Sequence, residues 1–308
     1  MGFHFDNLDA AENIFFERQL EQVRNKTYDI KYAALKARML IPVDNSVDPG
    51  AETVKYEQFD EVGQAKIINS YADDLPRVDI KAKEFRQPIK SIGVGFGYST
   101  QELRAAKFAG KPLEARRATT TRRAVEQTID RIAATGDAAN GLLGLLNQPN
   151  ALVFAVPNNA GGTSAHWADK SPDEILADLN GIVNLIVSTT KEIEQPDTLL
   201  LPVDQYTLIS STPRSANSDT TILKYFLTNN PFIHAVEPWA KLSGVGSGST
   251  DRMVAYRRDP DALQLIISME FTQYPPQPKG LAFEIPCEAR CGGVQVYYPL
   301  SICYGDGI

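Results

Sequence analysis

Histidine and cysteine are scarce, with three of each in 308 residues. The histidines, His4, His166 and His234, fall in separate segments, and none has a second histidine at ligand spacing. No HExxH, GxSxG or Cys–His signature occurs, so no short motif asks for a catalytic residue, a metal or a cofactor. An odd cysteine count argues against a disulfide framework. Cys287 and Cys291 lie four apart with no second pair and no nearby histidine, short of the four ligands of a structural zinc site. With Cys303 they read as reduced cysteines used as small apolar residues. Long apolar runs are absent as well. LNGIVNLIV at 179–187 is the most apolar stretch, far short of the ~20 residues a membrane span needs. The opening MGFHFDNLDAAE lacks the basic-then-apolar pattern of a secretory signal, so the expectation is a chain made and kept in a cytosol.

What is present is ordinary in total and uneven in distribution. Hydrophobic residues make 43% and charged residues 22%, values of a folded globular chain long enough for about two domains. The net charge of −7 conceals a segregation. Residues 81–123 hold eleven bases against three acids, so that segment is +8 and the remainder −15. Residues 161–219 hold nine acids against three bases. An assembly that docks one copy's basic segment on another copy's acidic one uses such a separation. The plainer account is solvated faces that fell out unevenly.

Residues 8–40 read as an amphipathic helix, with Phe15, Phe16, Leu20 and Val23 at helical spacing. VDNSVDPGAE breaks it. TVKYEQFDEVG and RVDIKAKEFRQPIKSI then read as strands, the second with Val78, Ile80 and Ala82 alternating with charge. QAKIINSYADDLP joins them, polar and poor in large apolar residues. A long hairpin that cannot bury its own middle leans on something else. Asp73 and Asp74 read as its acidic end rather than as a metal pair.

SIGVGFGYSTQEL, residues 91–103, puts three glycines into five positions. Ile92, Val94, Phe96 and Tyr98 alternate with Ser91, Gly93, Gly95 and Gly97, which is a strand with side chains on one face. Glycine in a strand marks a close backbone or ligand approach. A dinucleotide fingerprint needs GxGxxG opening a helix, and a P-loop needs a following GK[ST]. Neither is here, so the expectation is packing rather than phosphate. Ser99 with Glu102 forms a capping-box signature for a short helix. Pro112 suits the first turn of a second helix running to about Thr135. Its apolar stripe, Ala118, Val125, Ile129 and Ile132, is narrow, with Arg116 and Arg123 nearly opposite and Arg117 and Arg131 on a flank. This is a helix laid on a sheet with a basic outer side, which meets neighbouring copies or nucleic acid, or is simply solvated and paired with Glu126 and Asp130.

GDAANGLLGLLNQPNA reads as a glycine-punctuated linker at about 136–151. SPDEILADLNGIVNLIVS carries a Ser cap, Pro at the first turn and Glu174 three past the cap. TLLLPV reads as a buried strand, Ser218 to Asn229 as a helix, and FIHAVEP as a strand with His234 packed within it. SGVGSGST at 243–250 reads as a flexible loop. LQLIISMEFTQ, LAFEIPCEA and GGVQVYYPLSICYGDGI are the strongest strand runs, so the C-terminus is expected to be tied into the fold.

The order of these elements, an arm, a long hairpin, a strand, a short helix, a long basic helix, an α/β subdomain and a β-rich return, resembles the major capsid protein of tailed bacteriophages, an α+β architecture with the Hong Kong 97-like fold. RVDIKAKEFRQPIKSIGVGFGYSTQELRAA and EQTIDRIAATGDAANGLLGLLNQPN resemble the strand, spine helix and linker of that family, and VQVYYPLSICYGDGI resembles its closing strands. The resemblance implies an N-terminal arm over 1–50, an extended loop over 51–91, a peripheral domain of 92–150 with 262–298, and an axial domain of 151–261 with 299–308. It implies pentamers and hexamers closing an icosahedral shell in a bacterial cytoplasm around double-stranded DNA bound without sequence specificity. A separate scaffolding protein, a portal and a decoration protein are the implied partners. Candidate inter-subunit residues are Lys66, Asp73, Asp74, Arg116, Arg117, Arg122 and Arg123. Some relatives weld neighbours by a Lys–Asn isopeptide, but no motif fixes a partner for Lys66. Two rivals stand beside this reading: an encapsulin-like compartment with the same fold and a protein cargo, and a nucleotide-dependent cytosolic enzyme built on the glycine-rich stretches.

Overall fold

The computed structural model describes residues 34–62, 79–110, 113–215 and 219–308. A single helical turn, α1 (Ala37–Leu40), and a two-residue strand, β1 (Val43–Asp44), lead into the expected hairpin. Here β2 (Thr53–Val62) pairs antiparallel with β3 (Asp79–Pro88), from Thr53 opposite Pro88 to Val62 opposite Asp79. The run 77–92 is not one strand. Ile89 is buried and its N–H donates to the Glu52 carbonyl at 2.8 Å, so the chain turns there and starts β4 (Lys90–Ser99) in another sheet. The capping box expected at the next helix, α2 (Thr100–Phe108), is present. The Ser99 hydroxyl accepts from the Glu102 N–H at 3.1 Å, and the Glu102 carboxylate accepts from the Ser99 N–H at 3.1 Å. The long helix α3 (Leu113–Thr135) buries Val125, Ile129 and Ile132 against the sheet beneath it.

The stretch expected as a linker is core. Leu142, Leu145 and Leu146 are buried in the same cluster as Val125 and Ile129. Its glycines serve close packing rather than slack. Gly136 ends α3 with φ +71°, and a Cβ on Gly144 would lie 2.4 Å from the Ala134 carbonyl oxygen. The apolar LLGLL was the available signal, outweighed in the sequence by glycine spacing.

A short strand, β5 (Leu152–Ala155), follows, and then the expected helix α4 (Pro172–Thr189), capped by Ser171 with Glu174. Next come the fully buried β6 (Thr198–Leu201), an unanticipated helix α5 (Val203–Ser211), α6 (Ile222–Asn229) and β7 (Ala235–Pro238). The helix expected from Ser218 starts instead at Ile222, with Thr221 as its cap. His234, expected inside a strand, lies ahead of β7 and is exposed. The loop at 243–250 is tied down. Gly246 N–H donates to the Thr250 carbonyl at 2.7 Å and Ser247 N–H to the Asp306 carboxylate at 3.0 Å.

The closing strands are β8 (Arg252–Tyr256), β9 (Leu263–Ile266), β10 (Met269–Gln273), β11 (Gln277–Lys279), β12 (Ala282–Cys291), β13 (Gly293–Val296) and β14 (Ile302–Asp306). LQLIISMEFTQ therefore splits between two sheets. One sheet has the order β1-β9-β13; a second joins β4, β10 and β11 around β12; a third runs β5-β14-β8-β6-β7. The inner strands of the five-stranded sheet, β14, β8 and β6, are covered on both faces. Leu200, Val254, Tyr256, Ile302 and Tyr304 face the cluster under α3. Leu199, Leu201, Met253, Ala255 and Cys303 face the cluster under α4 and α6. That is why TLLL is apolar without alternation. Burial raises the Cys303 thiol to about 12 and the Cys291 thiol to about 11, so both are packed thiols with little thiolate character.

Under α4 lies one buried ion pair. Lys170 Nζ is 2.5 Å from Asp178 Oδ2, with both side chains 1% exposed. Trp167 Nε1 donates to the same oxygen at 3.0 Å. Burial pushes the Asp178 carboxyl up and the lysine opposes that shift. Removing the lysine alone strands a carboxylate in the core. Lys170→Met is expected to cost about 3–5 kcal/mol in denaturant unfolding, and adding Asp178→Asn to recover most of it. Gly144→Ala is expected to lower stability by about 2–4 kcal/mol, read as a fall in melting temperature, because backbone rather than a movable side chain occupies the space.

Candidate assembly surfaces

Residues 36–40, near the start of the described chain, are heavily bonded to the core. Lys36 Nζ donates to the Pro238 carbonyl at 2.8 Å and Ala37 N–H to the buried Asp130 carboxylate at 3.0 Å. Tyr256 Oη donates to the Leu40 carbonyl at 2.6 Å. Arg38 is a fork between two carboxylates. It reaches Glu126 of α3 at 3.0 and 3.1 Å and Glu270 of β10 at 2.7 and 2.9 Å. Paired bidentate contacts of this kind fix orientation.

Among the described residues, the hairpin is seated at its root. Tyr56 stacks on Phe85 at 5.0 Å and meets Tyr297 edge-on at 4.9 Å. The opposite face at the root carries a charge ladder. Lys55 lies 2.6 Å from Glu84 and 3.2 Å from Glu57, and Arg86 lies 2.5 Å from Glu84. Farther out that face turns apolar. Phe59 and Ile80 are each 61% exposed, with Ala82 directly across from Phe59. A two-stranded ribbon with no third layer is marginal in water. Between the hairpin root and residues 260–264 and 297–298 runs an open groove of about 670 Å³.

Of the candidate residues named from sequence, Lys66, Asp73 and Asp74 lie outside the described residues. The four arginines of α3 do not form one uniform face. Arg116 and Arg122 are exposed, while Arg117 and Arg123 are half-buried. Arg117 is engaged within its own chain, donating to the Gly97 carbonyl and pairing with Glu102 at 3.3 Å. It thereby fixes α2 to α3. Arg122 lies close enough to Glu270 to act on its charge. The sequence reading missed the Arg38 fork and the aromatic root, whose members are distant in the chain.

The glycine stretch is a strand interior. β4 pairs with β12 antiparallel over its whole length, from Ser99 opposite Ala282 to Lys90 opposite Cys291. Ile92 and Val94 pack against the core, and the glycine face is bare. A Cβ on Gly97 would lie 2.9 Å from the Phe283 carbonyl oxygen. Across from Gly97 and Gly93 stand Glu284 and Glu288, the wrong charge to receive a phosphate. Among the described residues, no group of three or more His, Cys, Asp or Glu could hold a metal ion. No helix among them is long and apolar enough to cross a membrane.

The sequence matches the family described as Major capsid protein over residues 63–308. The chain belongs to that family. Solved structures agree in fold. The capsid of the myovirus phage XM1 superposes with a TM-score of 0.83 at 19% identity, covering 96% of this chain and 99% of the other. The capsid of a native GTA particle gives 0.65 at 10% identity, covering 93% and 94%. A virus-like particle from Pyrococcus furiosus gives 0.52 at 13% identity, covering 87% and 91%. No curated relative matches the sequence. The α+β, Hong Kong 97-like architecture is thus the fold of this family member.

The Arg38 fork makes an acid-sensitive clamp. Its hydrogen bonds hold the Glu270 carboxyl below the ordinary value of 4.5. A depressed carboxylate stabilises the fold fully above its unfolded value and loses that contribution as pH falls through the folded one. Stability is therefore expected to drop below about pH 4.5. In Arg38→Gln, denaturation midpoints measured from neutral to acid pH should show a shallower loss there.

Proposed function

We propose that this chain is the major coat subunit of a tailed, double-stranded DNA bacteriophage, closing as pentamers and hexamers into an icosahedral shell around the genome. Family membership over 63–308, with a chain-long likeness to the XM1 capsid, carries the reading. The role is mechanical, and no reaction is assigned to any residue. Stability of the shell comes from many modest contacts in a closed, edge-free assembly. On this reading residues 1–50 are the arm and 51–91 the extended loop. The peripheral domain is 92–150 with 262–298, and the axial domain is 151–261 with 299–308. The hairpin with exposed Phe59 and Ile80 supports an element that a neighbouring copy covers. A net charge of −7 supports a wall that encloses DNA without gripping its phosphates. Scaffolding, portal and decoration proteins are the partners such a shell would use.

A protein-filled compartment is the second reading, and the Pyrococcus furiosus particle is the observation for it. Its TM-score of 0.52 against 0.83 for the phage capsid favours the phage. Negative-stain microscopy with sedimentation, on the chain expressed with and without a scaffolding protein, tests the proposal. Closed shells, tubes or uniform pentamers and hexamers are expected, with nuclease-sensitive contents in particles from infected cells. A monomer or dimer under every condition contradicts a shell, and particles filled with a defined protein contradict the phage.

A further inference from the structure

Helix α2 is a helix without a core. None of its nine residues is buried, and Leu103 and Phe108 are 42% and 97% exposed. A free helix of that length is marginal in water, and the capping box satisfies only its first turn. Arg104 and Lys107 are exposed on the same helix, and no ion pair engages either among the described residues.

The groove at the hairpin root has the opposite character. Tyr56 and Tyr298 give it aromatic rings and Asp261 a carboxylate, Glu57 and Phe59 border it from the other face of the β2 edge, and among the described residues no Lys, Arg or His lines it. Lys55 meets Glu57 at 3.2 Å. The exposed Asp261 carboxylate has no cation among the described residues. Phe59 is 61% and Tyr298 45% exposed. Acidic walls repel a nucleic acid. Exposed rings beside carboxylates suit a partner that brings apolar side chains together with Lys or Arg.

We propose that α2 of one copy docks in the hairpin-root groove of the next, a contact that rests on the shell reading for its occupant. Phe108 and Leu103 meet the aromatic rings, and Arg104 and Lys107 face Asp261 and, at the border, Glu57. The two patches are different surfaces of one chain, so the contact is heterologous. Each copy gives its helix to one neighbour and its groove to the other, an arrangement that closes into rings. The docked helix then acquires the buried side that it lacks in a single chain.

Charge reversal on the full-length chain, with scaffolding protein where assembly needs it, tests the contact. Asp261→Lys alone, and Arg104→Glu with Lys107→Glu, are each expected to raise the concentration needed for ring or shell formation about tenfold or more. Combining both sets is expected to restore assembly to within about threefold of wild type. Unchanged thermal melts of the unassembled variants establish that they are folded. Amide exchange gives a second readout, in which residues 100–108 exchange rapidly in the unassembled wild type and become protected in shells. Reversal variants that assemble as wild type overturn the contact. A folded combined variant as defective as its parents overturns it too, as do wild-type shells whose α2 stays unprotected. In those three cases the shell reading survives. A wild-type chain that never assembles overturns both together.

Discussion

Strand β14 lies inside the five-stranded sheet, between β5 and β8, although it is made from residues 302–306 of 308. Ile302 and Tyr304 point into the cluster under α3, and Cys303 points into the cluster under α4. Both cores therefore stay open until the end of the chain is in place. The strand also carries polar fasteners. Tyr304 Oη donates to the Leu145 carbonyl at 2.6 Å and accepts from the Gln148 N–H at 3.1 Å. Arg252 lies over the Tyr304 ring at 4.5 Å and pairs with Asp306 at 2.6 Å. These contacts turn the 136–151 stretch from a tether into a wall of the core. Such long-range closure is slow to form, and it yields a body that resists local bending because both faces of the sheet's inner strands are filled.

Against that body stand parts that the chain itself does not finish. The hairpin is held at Tyr56, Phe85 and Tyr297 and then carries Phe59 and Ile80 outward into solvent. Helix α2 is fixed at one end by Ser99, Glu102 and Arg117 and buries nothing. Large apolar side chains on ordered but coreless elements are what a subunit shows before its neighbours arrive. A shell built from such units needs no single strong bond. The rigid body sets the geometry, and the projecting elements convert it into contacts repeated around a closed surface.

The sequence displayed whatever was local. Ser99 with Glu102, and Ser171 with Pro172 and Glu174, announce two helices because the cap and its partner are three residues apart. Alternation gave β4, and the narrow Val125, Ile129, Ile132 stripe placed α3 on a sheet. Distant partnerships were not legible. Arg38 meets Glu126 across 88 positions and Glu270 across 232, and no local pattern encodes such a meeting. Gly144 read as slack because spacing cannot distinguish a flexible glycine from one pressed against Ala134. Strand β5 and helix α5 are short, and tertiary packing rather than periodicity decides them. The order of elements along the chain preserved the architecture even where single elements were misread.

The bare glycine face of β4 fits the same account. Its neighbours Glu284 and Glu288 turn away a phosphate, and its flatness admits another backbone. The central claim is that neighbouring copies complete the surfaces that one chain leaves open. Electron cryo-microscopy of the assembled particle tests it most directly. The account predicts that, in each subunit, Phe59 and Ile80 are buried by a different chain while the body around β14 superposes on the single chain. A particle whose hairpin folds back on its own subunit, or stands exposed in the finished wall, would contradict it.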